Sequence, residues 1–468
     1  MKTVNVLAVD YGAGGGKAVL ASFDGDRLAF EEVCRIESTP CRVLSGVYWN
    51  ILGLFDGLKT AVGRAVKSRG AVAGLGIDAW ATDFGVLDSQ GNLLANPHSY
   101  LDDRTLALTD EVYGAYPPYE LFRKTGIEPH FRFGLFQYLA LKRFDRDVFD
   151  KAKTMLFIPN LLGYFCTGEH SCEATQASTT LLYDPLGRQW CPEIFDMFGL
   201  PNLFPALNSS ASVLGPLTPA FREETGAGEI QVINIPQHDS AAAMLSSSVS
   251  NRDTVFISSG SWSIIGVYMD KPIVTRDVFE KKFNNQIGYG NRIMFVRNVL
   301  GLWILQQCVR EWRREGYEVD YDELERTAES SGFDGWIDLD KDWMTVKGSI
   351  CERIAGDCVE RGLPAPKDRA QTYACVLGGL ARMYRQVISD LSAITGLSFK
   401  RIHMVGGGAR SAYLCGRTAA ETGLEVVAGL DEGTSVGNAI AQLIALREIK
   451  DEGEAVGLVK NSFAIKQY

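Results

Sequence analysis

The sequence predicts an α/β protein with an internal duplication. Strand-like and helix-like runs alternate along the first 240 residues, an order that favours helices layered on a sheet. Two stretches, Val4–Phe23 and Val255–Tyr268, share one form: an apolar run, a loop of small residues and a second apolar run. They begin about 250 residues apart, which indicates a repeated unit. A chance likeness remains the alternative, because the two loops share their form rather than their residues.

The composition argues against two classes of partner. The 468 residues include 47 basic and 57 acidic ones, a formal net charge of −10, and contain no basic block. Neither nucleic acid nor an anionic membrane surface is therefore expected as a partner. The length fits about two or three domains, and 46% hydrophobic residues provide an ample core.

Neither a signal peptide nor a membrane-spanning helix is expected from the sequence. No run of about eighteen apolar residues occurs, and Met1-Lys2 leads directly into a strand-like run. The ten cysteines, from Cys34 to Cys415, lack metal-binding spacing and are expected to be reduced thiols. We therefore expect a soluble cytoplasmic protein, either a monomer or a homodimer.

The alternation resolves into individual elements. Strands are predicted at Val4–Val9, Lys17–Phe23, Val72–Ile77, Phe84–Asp88 and Gln231–Ile235. Helices are predicted at Ile51–Ser68, Leu135–Phe144 and Leu161–Thr167. The polar stretch Ser246–Asp253 then marks a domain boundary, so the predicted domains are residues 1–245 and 246–468.

A glycine-rich loop follows the first predicted strand, in the stretch VDYGAGGGKAVL, Val9–Leu20. It lacks the spacing of a P-loop, because Tyr11 stands at the first glycine position and Ala18 follows Lys17. It also lacks the third glycine of a dinucleotide-binding fingerprint. A strand-like run follows it, so the loop is predicted to be a hairpin turn. Such a turn either holds a ligand or needs glycine only for its geometry.

A later glycine cluster, Gly406–Gly408, joins a predicted strand, Ile402–Val405, to a predicted helix, Ala412–Thr422. Three glycines at a strand-to-helix turn would let a flat ligand lie against bare backbone. A tight turn with one positive φ angle is the alternative, and it accounts for one glycine rather than three.

Three aspartates follow predicted strands: Asp10, Asp78 and Asp239. Ligands of α/β sheets bind outside the carboxyl ends of the strands, so these carboxylates are candidate site residues. Asp239 also precedes an alanine-rich helical run, and either a helix cap or a reactive carboxylate fits that position.

Phosphoryl transfer would use all of these features. It requires a Mg²⁺ ion held by few carboxylates, backbone amides around the phosphates and a base near the acceptor hydroxyl. In this interpretation Asp10 serves the metal ion and Asp239 takes the proton. Amides come from Gly12–Lys17 and Ser259–Ser261, side-chain donors from Lys17 and Ser261, and room for the nucleoside from Gly406–Gly408.

The motifs, taken in order, resemble those of the FGGY carbohydrate kinases. They are AVDYGAGGGK, GIDAWATDF, YLDDRT, QHDSAAA, SSGSWS, RNVLGLWILQQ, HMVGGG and DEGTSVGN, and they extend from about Leu7 to Leu443. Each motif is weak alone, but their shared order and spacing are specific, and within the family the sequence is most similar to the rhamnulokinases. The resemblance implies an actin-like, duplicated ribonuclease-H-like fold, with two α/β domains around a central cleft for ATP and sugar.

The resemblance also implies roles for individual residues. Asp239 would be the general base for the sugar hydroxyl, and Asp10 would act on Mg²⁺. The sugar would contact Trp80, Ala81, His238, Asp239, Ser240 and Asn298. ATP would contact Asp10, Gly12, Ala13, Gly14, Gly15, Gly16, Lys17, Ser261, Gln306, Gly406, Gly407 and Gly408.

Five positions depart from the family pattern. Lys17 replaces Arg and keeps the charge without the bidentate fork, and Ser261 replaces Thr. Ala81 replaces Gly and adds a methyl group beside the sugar. Leu101 and Asn160 replace the Arg and Asp of the rhamnulokinase pattern. Pocket contacts of this size are worth about 1–3 kcal/mol, enough to redirect specificity among ketoses.

The implied activity is ATP-dependent phosphorylation of a ketose at its C1 hydroxyl, with conversion of L-rhamnulose to L-rhamnulose 1-phosphate as the leading hypothesis. The alternatives are a kinase for L-fuculose or another ketose or polyol and, from a different class, an actin-like ATPase that does not phosphorylate sugar. A nicotinamide-dependent dehydrogenase would rest on the glycines alone, and its fingerprint is missing.

Overall fold

The structure, a computed structural model, describes residues 3–12, 14–247, 252–341, 343–344 and 348–468. The chain forms two compact units. The first consists of residues 1–246, 268–295 and 433–462, and the second of residues 247–267, 296–432 and 463–468. The first unit is thus assembled from three separate stretches of sequence. The predicted boundary Ser246–Asp253 includes residues 248–251, which lie outside the described residues.

Most strands of the described residues belong to the two main sheets. They are β1 (Val4–Gly12), β2 (Gly15–Phe23), β3 (Leu28–Ile36), β4 (Cys41–Val43), β5 (Gly46–Tyr48), β6 (Gly74–Ala79), β7 (Phe84–Leu87), β8 (Thr154–Phe157), β9 (Cys172–Glu173), β10 (Tyr183–Asp184), β11 (Gln189–Trp190), β12 (Leu207–Asn208), β13 (Ser212–Pro216), β14 (Gln231–Asn234), β15 (Thr254–Ser259), β16 (Trp262–Met269), β17 (Phe283–Ile287), β18 (Ile293–Leu300), β19 (Arg401–Val405), β20 (Glu425–Leu430) and β21 (Lys466–Gln467).

Helices connect these strands. They are α1 (Ile51–Arg69), α2 (Thr109–Ala115), α3 (Pro118–Thr125), α4 (Gly134–Phe144), α5 (Arg146–Lys151), α6 (Ile158–Thr167), α7 (Ala174–Ala177), α8 (Pro192–Met197), α9 (Pro219–Thr225), α10 (Asp239–Leu245), α11 (Arg276–Glu280), α12 (Trp303–Arg314), α13 (Tyr321–Ser331), α14 (Ile350–Glu360), α15 (Arg369–Thr395), α16 (Ala412–Thr422), α17 (Gly433–Ala445) and α18 (Glu452–Ser462). Within the described part of the chain, none of them combines the length and the apolar character needed to span a membrane.

β1 lies near the centre of the first unit's six-stranded sheet, whose order is β13–β14–β6–β1–β2–β3. It pairs with β2 as an antiparallel hairpin and with β6 in parallel, and β14 pairs in parallel with β6. The strands β1, β6 and β14 therefore point the same way. Their carboxyl ends meet at one edge of the sheet, the edge at which α/β proteins bind ligands.

The two faces of β6 pack against different parts of the first unit. Leu75 and Ile77 join the hydrophobic core formed with α1 and α6. Gly76 and Asp78 point to the opposite face, since side chains alternate along a strand. A Cβ atom on Gly76 would lie 2.3 Å from Asn438 Oδ1 of α17, so the glycine allows this helix to lie directly on the strand.

α17 also packs closely against α10. A Cβ atom on Gly437 would lie 1.8 Å from Ala242 O, so the crossing of the two helices requires glycine. Gln442 Nε2 donates hydrogen bonds to Leu7 O (3.0 Å) and to Asn438 Oδ1 (2.7 Å), which ties the same helix to β1. α17 thus connects α10 with both central strands.

The second unit repeats the arrangement of a hairpin beside parallel strands. β15 and β16 form an antiparallel pair, β19 runs parallel to β15, and β20 runs parallel to β19. β21 adds an antiparallel edge strand beside β20. In the first unit, the β1–β2 hairpin stands beside β6 in the same way. The predicted duplication is confirmed by this shared plan.

The individual elements predicted from the sequence are also confirmed, with ends that shift by a few residues. β19 and α16 match their predicted ranges most closely. The predicted strand Phe84–Asp88 forms β7, but it pairs with β8 in a separate two-stranded sheet. Strand pattern alone could not show which partner the segment would find, because pairing is decided by contacts distant in sequence.

Replacing Gly437 with alanine is expected to lower the free energy of unfolding by at least about 1–3 kcal/mol, because the added methyl group would meet a backbone oxygen. Gly457→Ala in α18 is the matched control. A Cβ atom on Gly457 would have no neighbouring atom within 4 Å, so alanine should be neutral or stabilise the helix by about 0.5–1 kcal/mol. Urea titration of both variants measures the difference. Equal stability would contradict the close crossing of α10 and α17.

Candidate active site

Three carboxyl groups meet at the edge of the first unit's sheet. Asp10 and Asp78 are paired residues of the parallel strands β1 and β6. Asp239 is the first residue of α10, and His238 before it bridges to Ala79 of β6. The charges of Asp10 and Asp239 both act on Asp78. The structure therefore brings together the three aspartates predicted at strand ends.

Asp78 is fully buried beside its strand partner Asp10. One of the Asp78 oxygens accepts a hydrogen bond of 2.6 Å from Asn438 Nδ2. Burial raises the pKa of Asp78 well above its ordinary value, and the charge of Asp10 adds to this effect. The bond from Asn438 opposes the rise, and Asp239 contributes less to it. Burial and acidic neighbours thus favour the neutral form of Asp78.

Asp239 keeps one carboxylate oxygen clear of protein donors. Its Oδ1 accepts hydrogen bonds from Ser240 N (2.6 Å) and Ser240 Oγ (3.0 Å), and His238 Nε2 lies 3.4 Å from the same atom. Oδ2 accepts no hydrogen bond from the described residues. The side chain is 32% exposed, so this oxygen is accessible to a ligand hydroxyl.

The geometry argues against the helix-cap interpretation of Asp239. The cap position of α10 belongs to His238, and Asp239 lies inside the helix as its first residue. Burial lowers the pKa of His238, although the charge of Asp239 opposes this shift, so the neutral imidazole is favoured. His238 Nδ1 is buried and has no hydrogen-bond partner among the described residues.

Buried polar groups fix the loop that leads into α10. Glu173 Oε2 accepts hydrogen bonds from Thr175 N (2.9 Å) and Gln237 N (3.2 Å), and His238 N donates to Thr175 Oγ1 (3.0 Å). Burial raises the pKa of Glu173, and hydrogen bonds from Ser210, Thr175 and Gln237 oppose the rise. The interior carboxyl group of Glu173 therefore holds the backbone of this loop in place.

Trp80 and Ala81 follow β6 in a second loop at the same edge. Trp80 is buried and Ala81 is half-buried. Thr82 has a φ angle of 81°, a strained conformation of the kind that clusters at functional sites. Gln176 Nε2 donates to Trp80 O (3.2 Å) and to Gln237 O (2.9 Å). One buried amide thus anchors both loops that carry most of the predicted sugar contacts.

The glycine hairpin between β1 and β2 presents bare backbone. Gly12 pairs with Gly15 across a two-residue turn, in which Ala13 lies outside the described residues. Cβ atoms on Gly14 or Gly15 would have no heavy atom within 4 Å, so the space beside these residues is open to phosphate oxygens. Gly16 differs, because a Cβ atom there would lie 3.1 Å from the Tyr11 ring.

Lys17 brings a positive charge to the hairpin. It pairs with Asp10 across β1 and β2, so both side chains lie on one face of the sheet. Its Nζ lies 3.4 Å from Glu32 Oε2. An ion pair of partly exposed groups contributes only about 0–1 kcal/mol, so the ammonium group can exchange Glu32 for a phosphate oxygen at small cost.

The second unit holds the remaining predicted contacts. Ser261 Oγ donates a hydrogen bond of 3.0 Å to Gln306 Oε1, so the structure brings these two predicted ATP contacts together. Gly301 N (2.9 Å) and Trp303 N (3.2 Å) both donate to Ser261 O and fix the β15–β16 turn. Asn298, a predicted sugar contact, is an exposed residue of β18.

The glycines Gly406–Gly408 have three different surroundings. Gly406 has a φ angle of 83°, which favours glycine. A Cβ atom on Gly408 would lie 2.1 Å from Ser259 Oγ, so packing excludes a side chain there. Gly407 is exposed, and a Cβ atom placed on it would lie 3.8 Å from the nearest neighbouring atom. Gly407 is therefore the glycine best suited to lie against a ligand.

The donor set of the first unit fits Mg²⁺. This ion takes oxygen ligands, retains waters and is usually held by one or two carboxylates together with substrate phosphates. Asp10 supplies such a carboxylate beside the open hairpin. Across the residues that the structure describes, no group of three or more His, Cys, Asp or Glu side chains is arranged to hold a metal ion. A Mg²⁺ ion at Asp10 would therefore depend on phosphates and waters for its other ligands.

Several residues of this site escaped sequence analysis. Asn438 lies in the motif DEGTSVGN. The signal that could have identified it was an amide four residues before a second amide, Gln442, in a largely apolar helix. Glu173 and Asp83 gave no comparable signal, because their burial depends on segments distant in sequence.

Comparison with known proteins identifies the family. The chain matches the N-terminal domain of the FGGY family of carbohydrate kinases over residues 5–246 and its C-terminal domain over residues 255–446. It is 31% identical over 463 residues to the rhamnulokinase of Oceanobacillus iheyensis, covering 99% of this chain and 97% of that one. It is 32% identical over 470 residues to the rhamnulokinase of Bacteroides thetaiotaomicron, covering 99% and 95%.

Solved structures share the fold at low sequence identity. Gluconate kinase from Lactobacillus acidophilus has a TM-score of 0.80 at 15% identity, covering 100% of this chain and 94% of that chain. Plasmodium falciparum glycerol kinase with ADP has a TM-score of 0.80 at 16% identity, covering 99% and 94%. The predicted actin-like, duplicated ribonuclease-H-like fold is confirmed. The chain therefore belongs to the FGGY family of carbohydrate kinases, phosphotransferases that use ATP with Mg²⁺ and take an alcohol group as acceptor.

Proposed function

We propose that the protein phosphorylates a ketose at its C1 hydroxyl and that its principal substrate is L-rhamnulose, which becomes L-rhamnulose 1-phosphate. The position of Asp239 carries the proposal, since its uncommitted Oδ2 lies beside the predicted sugar contacts and its charge reaches Asp78. The choice of sugar is supported by about 30% identity to two rhamnulokinases over nearly the whole chain.

Asp239 acts as the general base. Ser240 holds Oδ1, so Oδ2 accepts the hydrogen bond of the C1 hydroxyl and takes its proton as the oxygen attacks. The neutral imidazole of His238 leaves the charge of Asp239 unneutralised. Its unpaired Nδ1 offers one further hydrogen bond to a sugar hydroxyl.

Asp10 provides the metal-ion side of the site. ATP supplies the phosphoryl group, and Mg²⁺, when bound, neutralises charge on its phosphates. Asp10 lies in β1, the strand that leads into the open backbone of Gly14 and Gly15, and Lys17 adds a positive charge on the same face. Asp78 interacts with Asp10 and is itself held by Asn438, so the orientation of Asp10 depends on α17.

An actin-like ATPase that does not phosphorylate sugar is the alternative from another class. Such an enzyme needs groups around the phosphates, but it does not need a second loop for sugar contacts at the same edge of the sheet. Here the loop that begins at Trp80 is tied through Gln176 to the backbone that leads into Asp239. ATP hydrolysis that no ketose affects would favour the ATPase.

Three departures from the rhamnulokinase pattern bear on the sugar. Ala81 is half-buried in the Trp80 loop, and Leu101 is 38% exposed. Asn160 is fully buried, and its Nδ2 donates to Ser171 Oγ (2.8 Å), so it serves the interior. The changes at the first two positions keep L-fuculose and other ketoses or polyols as the nearest alternative substrates.

We also propose a cytoplasmic location. ATP is the phosphate donor, and all ten cysteines are free thiols, as expected in a reducing compartment.

A panel of ketoses and polyols, assayed with ATP by coupled ADP release, tests the substrate. L-Rhamnulose is expected to give the highest kcat/KM, with L-fuculose and D-xylulose at least about tenfold lower, since one lost pocket contact is worth about 1–3 kcal/mol. NMR of the product should place the phosphate on C1. A higher kcat/KM for another sugar would replace L-rhamnulose as the substrate.

Asp239→Asn is expected to keep the fold and the affinity for both substrates while it lowers kcat by about 10²–10⁴-fold, the usual range for loss of a general base. Asp277→Asn is the matched control, because Asp277 is an exposed carboxylate in the first turn of another helix, α11. Near-normal turnover by the purified Asp239 variant, with an unfolding transition like that of the wild type, would remove Asp239 from the mechanism.

Asn438→Ala should raise the Mg²⁺ concentration for half-maximal turnover by about 10-fold or more, because it removes a residue that supports the carboxylates near the ion. It should also lower the free energy of unfolding by about 1–3 kcal/mol, since Asp78 loses a buried partner. Asn461→Ala is the control: the Asn461 amide donates to Asp26 Oδ1 at 2.9 Å on the exposed surface. Equal Mg²⁺ requirements in the two variants would separate Asn438 from the metal site.

A further inference from the structure

The carboxylate of Asp83 accepts hydrogen bonds from three separate segments of the first unit. Its Oδ2 accepts from Trp49 Nε1 (2.6 Å), Trp80 Nε1 (3.0 Å) and Tyr100 N (3.1 Å). Asp83 is only 2% exposed, so it cannot meet a ligand directly. An interior carboxylate with this many partners is held in one orientation and fixes its donors in turn.

The two indoles reinforce this arrangement. The Trp49 and Trp80 ring centroids lie 3.8 Å apart, with 31° between the planes, and Trp49 is completely buried. Thr82 lies next to Asp83 and keeps a φ angle of 81°, which persists only where the surroundings impose it. The Asp83 carboxylate and the stacked ring are contacts that impose the shape of the Trp80–Thr82 loop.

Tyr100 interacts electrostatically with both Asp83 and Asp239. Burial raises the pKa of Tyr100 to about 12; the charges of Asp83 and Asp239 add to the rise, and Arg132 opposes it. The phenol group of Tyr100 thus lies within electrostatic reach of the proposed base, while its backbone N–H is bound to Asp83.

We infer that Asp83 is a positioning residue of the sugar site, whose carboxylate aligns the Trp80–Thr82 loop with Tyr100 beside Asp239. The inference rests on the proposed function, because it takes Trp80 and Ala81 as sugar contacts. Asp83 acts through the residues that donate hydrogen bonds to it. Its loss should therefore weaken sugar binding more than ATP binding.

Asp83→Asn tests this difference. The variant keeps one accepting oxygen for the three donors but loses the negative charge, so their charge-assisted hydrogen bonds become weaker neutral ones. The KM for the ketose is expected to rise by about 10-fold or more, while the KM for ATP changes by less than about twofold. Asp88→Asn is the matched control, since Asp88 accepts hydrogen bonds from Gln90 N (2.8 Å) and Asn92 N (2.9 Å) in an exposed turn. The control should leave both KM values within about twofold of the wild type.

Indole emission gives a second measurement that does not depend on catalysis. Burial raises the pKa of Asp83 to about 7, against opposing hydrogen bonds from Trp49, Tyr100, Trp80 and Thr82. Tryptophan emission of the wild type should therefore change between about pH 6 and 8, and Asp83→Asn should abolish the change. The other titratable or charged groups around Asp83 are Tyr48, Tyr100, His98, Arg104 and Asp145. They are present in both proteins, so the variant isolates Asp83.

Trp49→Phe keeps the ring stack and removes one donor, so it applies the same test if Asp83→Asn fails to fold. Its ketose KM should rise by about threefold or more with an unchanged KM for ATP. The inference is overturned if the ketose KM stays within about twofold of the wild type, if both KM values rise equally, or if the emission change persists in Asp83→Asn. If no sugar of the panel is phosphorylated, the proposed function fails, and the emission titration alone decides whether Asp83 holds the indoles.

Discussion

The burial of Asp78 is the constraint around which the first unit is built. A carboxyl group without water needs hydrogen bonds from the protein, and Asn438 supplies one at 2.6 Å. This donor comes from α17, so the helix must lie directly on β6. Gly76 and Gly437 make that possible, because a side chain at either position would collide with the facing element. The location of α10 follows from the same contact.

The acidic residues near this edge differ in environment rather than in type. Asp78 and Glu173 are interior groups whose protonated forms are favoured by burial. Asp239 is partly exposed and keeps one oxygen for a ligand. Asp83 lies beneath the surface, where it binds only donors of the protein. Carboxyl groups so close together can take different roles only when their surroundings separate their protonation states.

Local sequence patterns were sufficient to predict the hairpin and the aspartates of this site, but not the distant residues that hold them in place. The glycine hairpin and the aspartates at strand ends follow from short stretches of sequence, and the structure places them as expected. Asp78 and Asn438 are separated by 360 positions, so no local pattern could join them. The predicted ligand contacts at residues 406–408 stay a prediction, but the need for glycine at Gly408 has a second cause that the sequence could not show, because a side chain there would collide with Ser259 Oγ.

The discontinuous first unit makes the order of synthesis differ from the order of folding. Domains commonly fold as they leave the ribosome, starting from the N-terminus. Here residues 433–462 complete the first unit, but residues 296–432 of the second unit are translated before them. Until α17 emerges, the nascent chain lacks the partner of Asp78 and leaves the glycine face of β6 open to water. The N-terminal part of the first unit is therefore translated first, but it cannot complete its native structure until α17 has been synthesised.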